Sequence, residues 1–134
     1  MTKNNTYSKQ EKLKSRKALE QLFAKGKSFS VFPIKVFYTI SDGALVQAGV
    51  GVSSRIFKKA HDRNKVKRLL REVYRTQKQP LYTSVASNQQ QLNVFFLYIG
   101  KELPVFADLQ IAMEKTLEKL IRKISEPTPN VQQL

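Results

Sequence analysis

The sequence has no cysteine and a single histidine among its 134 residues. Without thiols, disulfides, thiolate metal sites and cysteine nucleophiles are excluded, and the composition fits a reducing cytosol. His61 is followed by Asp62, but adjacent residues on a helix point about 100° apart, so they form no catalytic dyad. No carboxylates pair at a useful spacing, and no His or Cys cluster offers a metal site. No apolar run approaches the roughly 20 residues that span a bilayer. Residues 1–10 are polar and lack the apolar segment of a secretory signal. The expectation is a cytoplasmic protein without membrane association and without catalytic groups of its own.

Acidic residues are also scarce. Ten Asp and Glu face 24 Lys and Arg, for a net charge of +14 and a pI near 10.2. Residues 55–75 hold nine basic and two acidic residues, residues 1–28 hold eight and two, and the remainder is nearly neutral. Generic surface charge would be spread more evenly. Two basic segments on one small domain predict a face for a polyanion, either nucleic acid or an anionic membrane surface.

The chain is long enough for one domain with a real core. Residues 1–14 read as a flexible basic arm. Ser15 is placed to cap a helix over residues 16–25 that Gly26 stops, with Leu19, Leu22 and Phe23 as its apolar stripe. Residues 31–40 read as a strand, Ser41-Asp42-Gly43 as a turn, and residues 44–53 as a second strand hairpinned to the first. A helix follows over about residues 58–78, ended by Pro80. Residues 79–92, rich in Ser, Asn and Gln, read as a mobile loop. Residues 93–99 form a buried strand. After Pro104 a last helix covers residues 106–124, with Leu109, Met113, Leu117, Leu120, Ile121 and Ile124 on one face. Residues 126–134, with Pro127 and Pro129, read as a flexible tail. There is no internal repeat. The pattern predicts one α+β domain over residues 15–125, a small mixed sheet packed by helices in the order α-β-β-(β)-α-β-α.

The helix over residues 58–78 carries the functional signal. At 100° per residue, Val66, Leu69, Leu70 and Val73 share one stripe, while Arg63, Asn64, Lys67, Arg68, Arg71 and Arg75 gather on the other side. Arg63–Lys67 and Lys67–Arg71 are like-charge pairs four residues apart, which cost a few tenths of a kcal/mol each. A solvated helix selected for stability would alternate signs. Phosphate binding accounts for the density, with Arg supplying bidentate contacts and Lys a compact charge. Gly49-Val50-Gly51 lacks phosphate-loop spacing and reads better as close backbone packing in a strand. On the first strand, Ile34, Val36 and Tyr38 alternate with Lys35 and Phe37; one face must pack the last helix, and the other is free to stack unpaired bases.

The run from Phe57 to Arg75, with Arg63-Asn64-Lys65, an aliphatic Val66, Lys67-Arg68, the apolar pair Leu69-Leu70 and Arg71, resembles the signature of the bacterial ribonuclease P protein subunit. The Val-Ser-rich strand and basic linker over residues 49–59 resemble what precedes that box. Residues 13–26, with Phe23-Ala24-Lys25-Gly26, are similar to the family's first helix and its Phe-x-x-Gly ending. The order of elements agrees over roughly residues 12–124. The resemblance implies a protein that binds the catalytic RNA of ribonuclease P and the 5′ leader of precursor tRNA, assisting removal of that leader. It implies that hydrolysis belongs to the RNA subunit with Mg²⁺, that the protein alone binds no cofactor, and that its fold contains a left-handed strand–helix–strand crossover. No protein partner is inferred.

Carried over residue by residue, the resemblance assigns Arg63, Asn64, Lys65, Lys67, Arg68 and Arg71 to the RNA-facing box. Arg55, Lys58, Lys59 and Arg75 extend that basic surface. Lys14, Arg16, Leu19, Phe23 and Tyr38 are assigned to a leader-binding cleft between the first helix and the sheet. The sequence departs from the family's habit at four positions. Leu19 stands where Phe is frequent, Lys65 replaces a second Arg, His61 replaces an aliphatic residue, and Ser54 replaces a Lys. The alternative from another class is a ribosomal or other structural RNA-binding protein; a DNA-binding module with this helix in a major groove comes third. A membrane-surface helix fits least, because its apolar side lacks large aromatics.

Overall fold

The computed structural model describes residues 11–13, 16–43 and 45–125. The elements are α1 (Arg16–Lys25), β1 (Lys27–Val31), β2 (Ile34–Asp42), β3 (Val46–Val52), α2 (Ala60–Arg75), α3 (Gln79–Ser87), β4 (Gln90–Tyr98) and α4 (Phe106–Ser125). They form the expected α+β arrangement, a mixed four-stranded sheet in the order β1-β2-β4-β3. β1 and β2 are antiparallel, as are β2 and β4, and β3 runs parallel to β4. The parallel pair makes the connection through α2 and α3 a strand–helix–strand crossover.

One sheet face and the inner sides of α2, α3 and α4 bury the core. Ile34, Val36 and Tyr38 of β2 and Leu92, Val94, Phe96 and Tyr98 of β4 point into it at the spacing of two that strands impose. Val66, Leu70, Val73 and Tyr74 of α2 and Leu109, Met113, Leu117, Leu120 and Ile124 of α4 meet them. Leu69 and Ile121, expected on the same stripes, are partly buried at their margins.

Four local expectations are corrected. The strand expected over residues 31–40 is β2, starting at Ile34, and an unexpected strand, β1, precedes it; Phe32-Pro33, joined by a cis bond, makes the hairpin turn between them, and proline has no N–H for the ladder. β3 is not hairpinned to β2; β4 lies between them. The β4 run Val94-Phe95-Phe96-Leu97-Tyr98 is apolar on both faces and gains most from a central position, while β3 carries Gly49 and Gly51 and takes an edge. The loop expected over residues 79–92 contains α3. Pro80 sits in its first turn, where a missing N–H costs nothing, and Leu81 and Val85, four apart, bury its inner side. The basic helix ends at Arg75, so Lys78 falls outside it, at the N-cap of α3.

The basic arm expected over residues 1–14 lies largely outside the described residues, but residues 11–13 are seated. Lys12 forms a parallel bridge with Ala48, and the Leu13 N–H donates to the Ala48 carbonyl at 2.9 Å. This short stretch covers the free edge of β3. The Ser15 cap, Lys14 and the tail over residues 126–134 lie outside the described residues.

Candidate nucleic-acid interface

The second sheet face is not covered by α2, α3 or α4, and α1 stands over part of it. The register sets Ser28, Phe37, Phe95 and Gly49 in one row across all four strands. Phe23 of α1, 48% exposed, meets Phe37 and Phe95 edge-on, at centroid distances of 5.1 and 5.2 Å. Each such pair contributes about 0.5–1.5 kcal/mol beyond simple burial. Leu22, one residue earlier, is buried and anchors the helix. The Lys35 ammonium lies 5.2 Å from the Phe37 ring centre, a cation against an aromatic face.

A groove of about 290 Å³ opens beside these rings, lined by Lys12, Leu13, Leu19, Gly49, Phe95 and Arg71 among others. Leu19 and Phe23, four apart on α1, and Arg16 three residues before Leu19 share one side of that helix. The glycines of β3 make the floor flat. A Cβ at Gly51 would come within 2.5 Å of the Phe95 ring and one at Gly49 within 3.0 Å. Close packing, the reading favoured for these two residues, is what they provide.

Tyr38, expected in the cleft, is not there. It alternates with Val36 and Ile34, so its ring enters the core, is 3% exposed and meets Phe29 at 6.1 Å. Phe37, its neighbour on the opposite face, takes that place. Phe95 and Lys12 also line the site without having been singled out. Phe95 was legible from alternation within β4, whereas nothing in the sequence pairs Lys12 with β3.

The basic side of α2 meets this groove at Arg71. Arg68, Arg71, Asn64 and Lys65 are exposed, and Lys67 is half-buried at the margin. Arg55, Lys58 and Lys59 are exposed in the linker before the helix. Among the described residues, no carboxylate lies within ion-pair distance of Arg55, Lys58, Lys59, Arg63, Lys65, Lys67, Arg68 or Arg71. The potential of this surface is therefore not cancelled from within.

Two arginines of the expected set are engaged inside the protein. Nη1 of Arg63 donates to the carbonyls of Phe57 and Lys58 at 2.9 and 2.8 Å. It fixes the linker against the start of α2, leaving its remaining N–H groups for other partners. Arg75 donates to Glu72 through Nε and Nη2, at 3.2 and 2.7 Å. That hydrogen bond holds the Glu72 carboxyl below its ordinary range and raises Arg75. The open cationic surface is thus centred on Lys67, Arg68 and Arg71.

Among the described residues, no group of three or more His, Cys, Asp or Glu side chains is placed to hold a metal ion. None of the described helices is long and apolar enough to cross a membrane.

Comparison with known proteins gives a consistent result. Residues 7–124 match the family described as Ribonuclease P. The chain is 34% identical to the ribonuclease P protein component of Porphyromonas gingivalis, over 84% of this chain and 85% of that one. It is 33% identical to the ribonuclease P protein component of Chlorobium phaeobacteroides, over 92% of each chain. Among solved structures it is similar to the RNase P protein of Staphylococcus aureus. One such structure has a TM-score of 0.62 at 19% identity, covering 82% of this chain and 94% of that chain. Another has a TM-score of 0.58 at 17% identity, covering 90% and 97%.

Proposed function

The chain belongs to the ribonuclease P protein family, and from that premise we infer that it is the RNA-binding protein component of ribonuclease P, acting in 5′ maturation of tRNA. The observation that carries the reading is the cluster of Lys67, Arg68 and Arg71 on α2, with no described carboxylate in ion-pair distance, joined through Arg71 to an aromatic groove on the open sheet face. Each half suits a different part of an RNA assembly.

Lys67, Arg68 and Arg71, with Arg55, Lys58, Lys59, Asn64 and Lys65 around them, bind phosphates of the folded catalytic RNA. Neutralising a phosphate releases counterions, so affinity falls with salt in proportion to the number of contacts. The groove between α1 and the sheet holds the single-stranded 5′ leader of precursor tRNA. Phe23, Phe37 and Phe95 offer ring edges and faces to unpaired bases, and Arg16, Lys12 and Arg71 lie along the backbone path. A single strand fits here because stacking on aromatics needs unpaired bases and tolerates any base identity.

The protein's part is binding and orientation. Leader phosphates and ribozyme phosphates are held by one rigid surface, which converts two separate encounters into one. Magnesium belongs to the RNA subunit, where it supplies the hydrolytic chemistry. A cytoplasmic location follows from working on precursor tRNA.

The test is reconstitution of the protein with its catalytic RNA at low Mg²⁺. Leader removal from precursor tRNA should be faster with the protein than without it. RNA binding with no acceleration would make the chain a structural RNA binder instead.

A further inference from the structure

Lys78 is 1% exposed, a lysine buried where α2 hands over to α3. Its ammonium pairs with Glu11, 67 residues away in sequence. The Tyr82 hydroxyl donates to the same Glu11 oxygen at 2.8 Å, the Tyr74 hydroxyl donates to Tyr82 at 3.4 Å, and the Lys78 ammonium lies 5.0 Å from the Tyr82 ring centre. A buried ion pair is seldom there for stability, because desolvation offsets most of its attraction and an apolar pair of similar volume often does as well. What it does impose is a unique placement.

Glu11 is the one acid in residues 1–19. A slip of this segment by one residue would present Gln10 or Lys12 to Lys78, replacing the carboxylate with a neutral amide or a like charge. In the observed register Lys12 bridges to Ala48, and the Leu13 N–H reaches the Ala48 carbonyl. Both residues then line the groove together with Phe95.

We propose that the Glu11–Lys78 pair is a latch that sets the register of the N-terminal segment on the β3 edge. It thereby places Lys12 in the groove wall against a phosphate of the bound single strand. Lys78 is then a positioning residue that acts on RNA through Lys12. The proposal rests on the leader-binding reading of the groove.

The experiment uses holoenzyme reconstituted with wild-type protein, Lys78→Met, Glu11→Ala, Lys12→Ala, and the Lys12→Ala/Lys78→Met double variant. Binding is measured for precursor tRNA with a long leader and with a one-nucleotide leader, and hydrogen exchange is followed at the Leu13 amide. Met keeps the apolar stem of Lys78 packed; should that variant fail to fold, Glu11→Ala carries the same test from the segment's side.

The latch predicts faster exchange at Leu13 and a loss of roughly tenfold or more in long-leader affinity, the size of one charge-assisted contact. Short-leader affinity stays unchanged. Lys12→Ala adds no further loss to Lys78→Met, since both remove the same contact. A protected Leu13 amide, an undiminished long-leader affinity, or additive losses would overturn the latch. If wild-type holoenzyme itself binds long and short leaders equally, the leader-binding reading falls and the latch's role in RNA binding falls with it. That failure shows in the wild type alone, so the two are told apart.

Discussion

Phe95 on β4 lies against Gly51 on β3 so closely that a Cβ at position 51 would come within 2.5 Å of the ring's Cζ. The glycine is what lets the ring lie low across the edge strand and form the groove floor. Gly51→Ala should push Phe95 off this position, at a cost of about 1–3 kcal/mol for overpacking. Chemical denaturation measures the stability loss, and leader binding should weaken in the same variant.

Phe23 leans on the same ring from the α1 side, at 5.2 Å. Its side chain is half-exposed and contributes little to the core, so Phe23→Ala is expected to fold. If the groove stacks leader bases, the variant loses about 1–3 kcal/mol of precursor tRNA binding. Affinity for the catalytic RNA alone should be unchanged, which titration against each RNA separately would establish.

Arg63 and Arg68 sit on the same helix with different duties. Arg63 ties two linker carbonyls, so Arg63→Met should cost about 1–3 kcal/mol of stability through lost charged hydrogen bonds. Arg68 is exposed and has no described acidic partner. Arg68→Ala should leave stability within about 0.5 kcal/mol and weaken RNA binding. Thermal melts beside RNA titrations separate the two effects.

Glu72 is the carboxylate that neutralises part of this surface by pairing with Arg75. Glu72→Gln removes a negative charge and the ion pair that Glu72 makes with Arg75. RNA affinity should rise, and the slope of log K against log salt should steepen by about 0.7–0.9 if Arg75 then reaches a phosphate.

Tyr98 contributes a pH dependence to stability on the alkaline side. Burial, reinforced by the Glu102 carboxylate, pushes its hydroxyl above the ordinary tyrosine value, and it donates to the Glu102 carbonyl at 2.7 Å. The unfolded chain ionises near pH 10 while the folded chain still holds the proton. Stability is therefore fully present below about pH 10 and is lost as pH rises from there through the folded pKa. Denaturation curves of Tyr98→Phe between pH 9 and 11, a window of roughly one unit about that value, should be flatter than those of the wild type.

Much of this was legible in the sequence because periodicity reports burial directly. The stripe of Val66, Leu70 and Val73 located the inner side of α2, and the charge opposite it located the outer side. The limits of α1 and α4 followed from Gly26 and Pro104 in the same way. Strand order was not legible. Nothing local states that β4 enters between β2 and β3, since that choice depends on which strand gains most from two neighbours. The face of Tyr38 was left open by alternation and needed the position of α4 to settle it. The placement of Glu11 against Lys78 was hidden for a related reason. Both look like ordinary members of charged segments, and their pairing across 67 residues exists only in the folded chain.

The central claim is that the cationic side of α2 grips phosphates of the catalytic RNA. The most direct measurement is the salt dependence of binding between that RNA and a Lys67→Ala/Arg68→Ala/Arg71→Ala variant, beside wild type, with both shown to be folded. Three lost contacts should flatten the slope of log K against log salt by roughly 2–3 units. An unchanged slope in a folded variant would contradict the claim and move the RNA to another face.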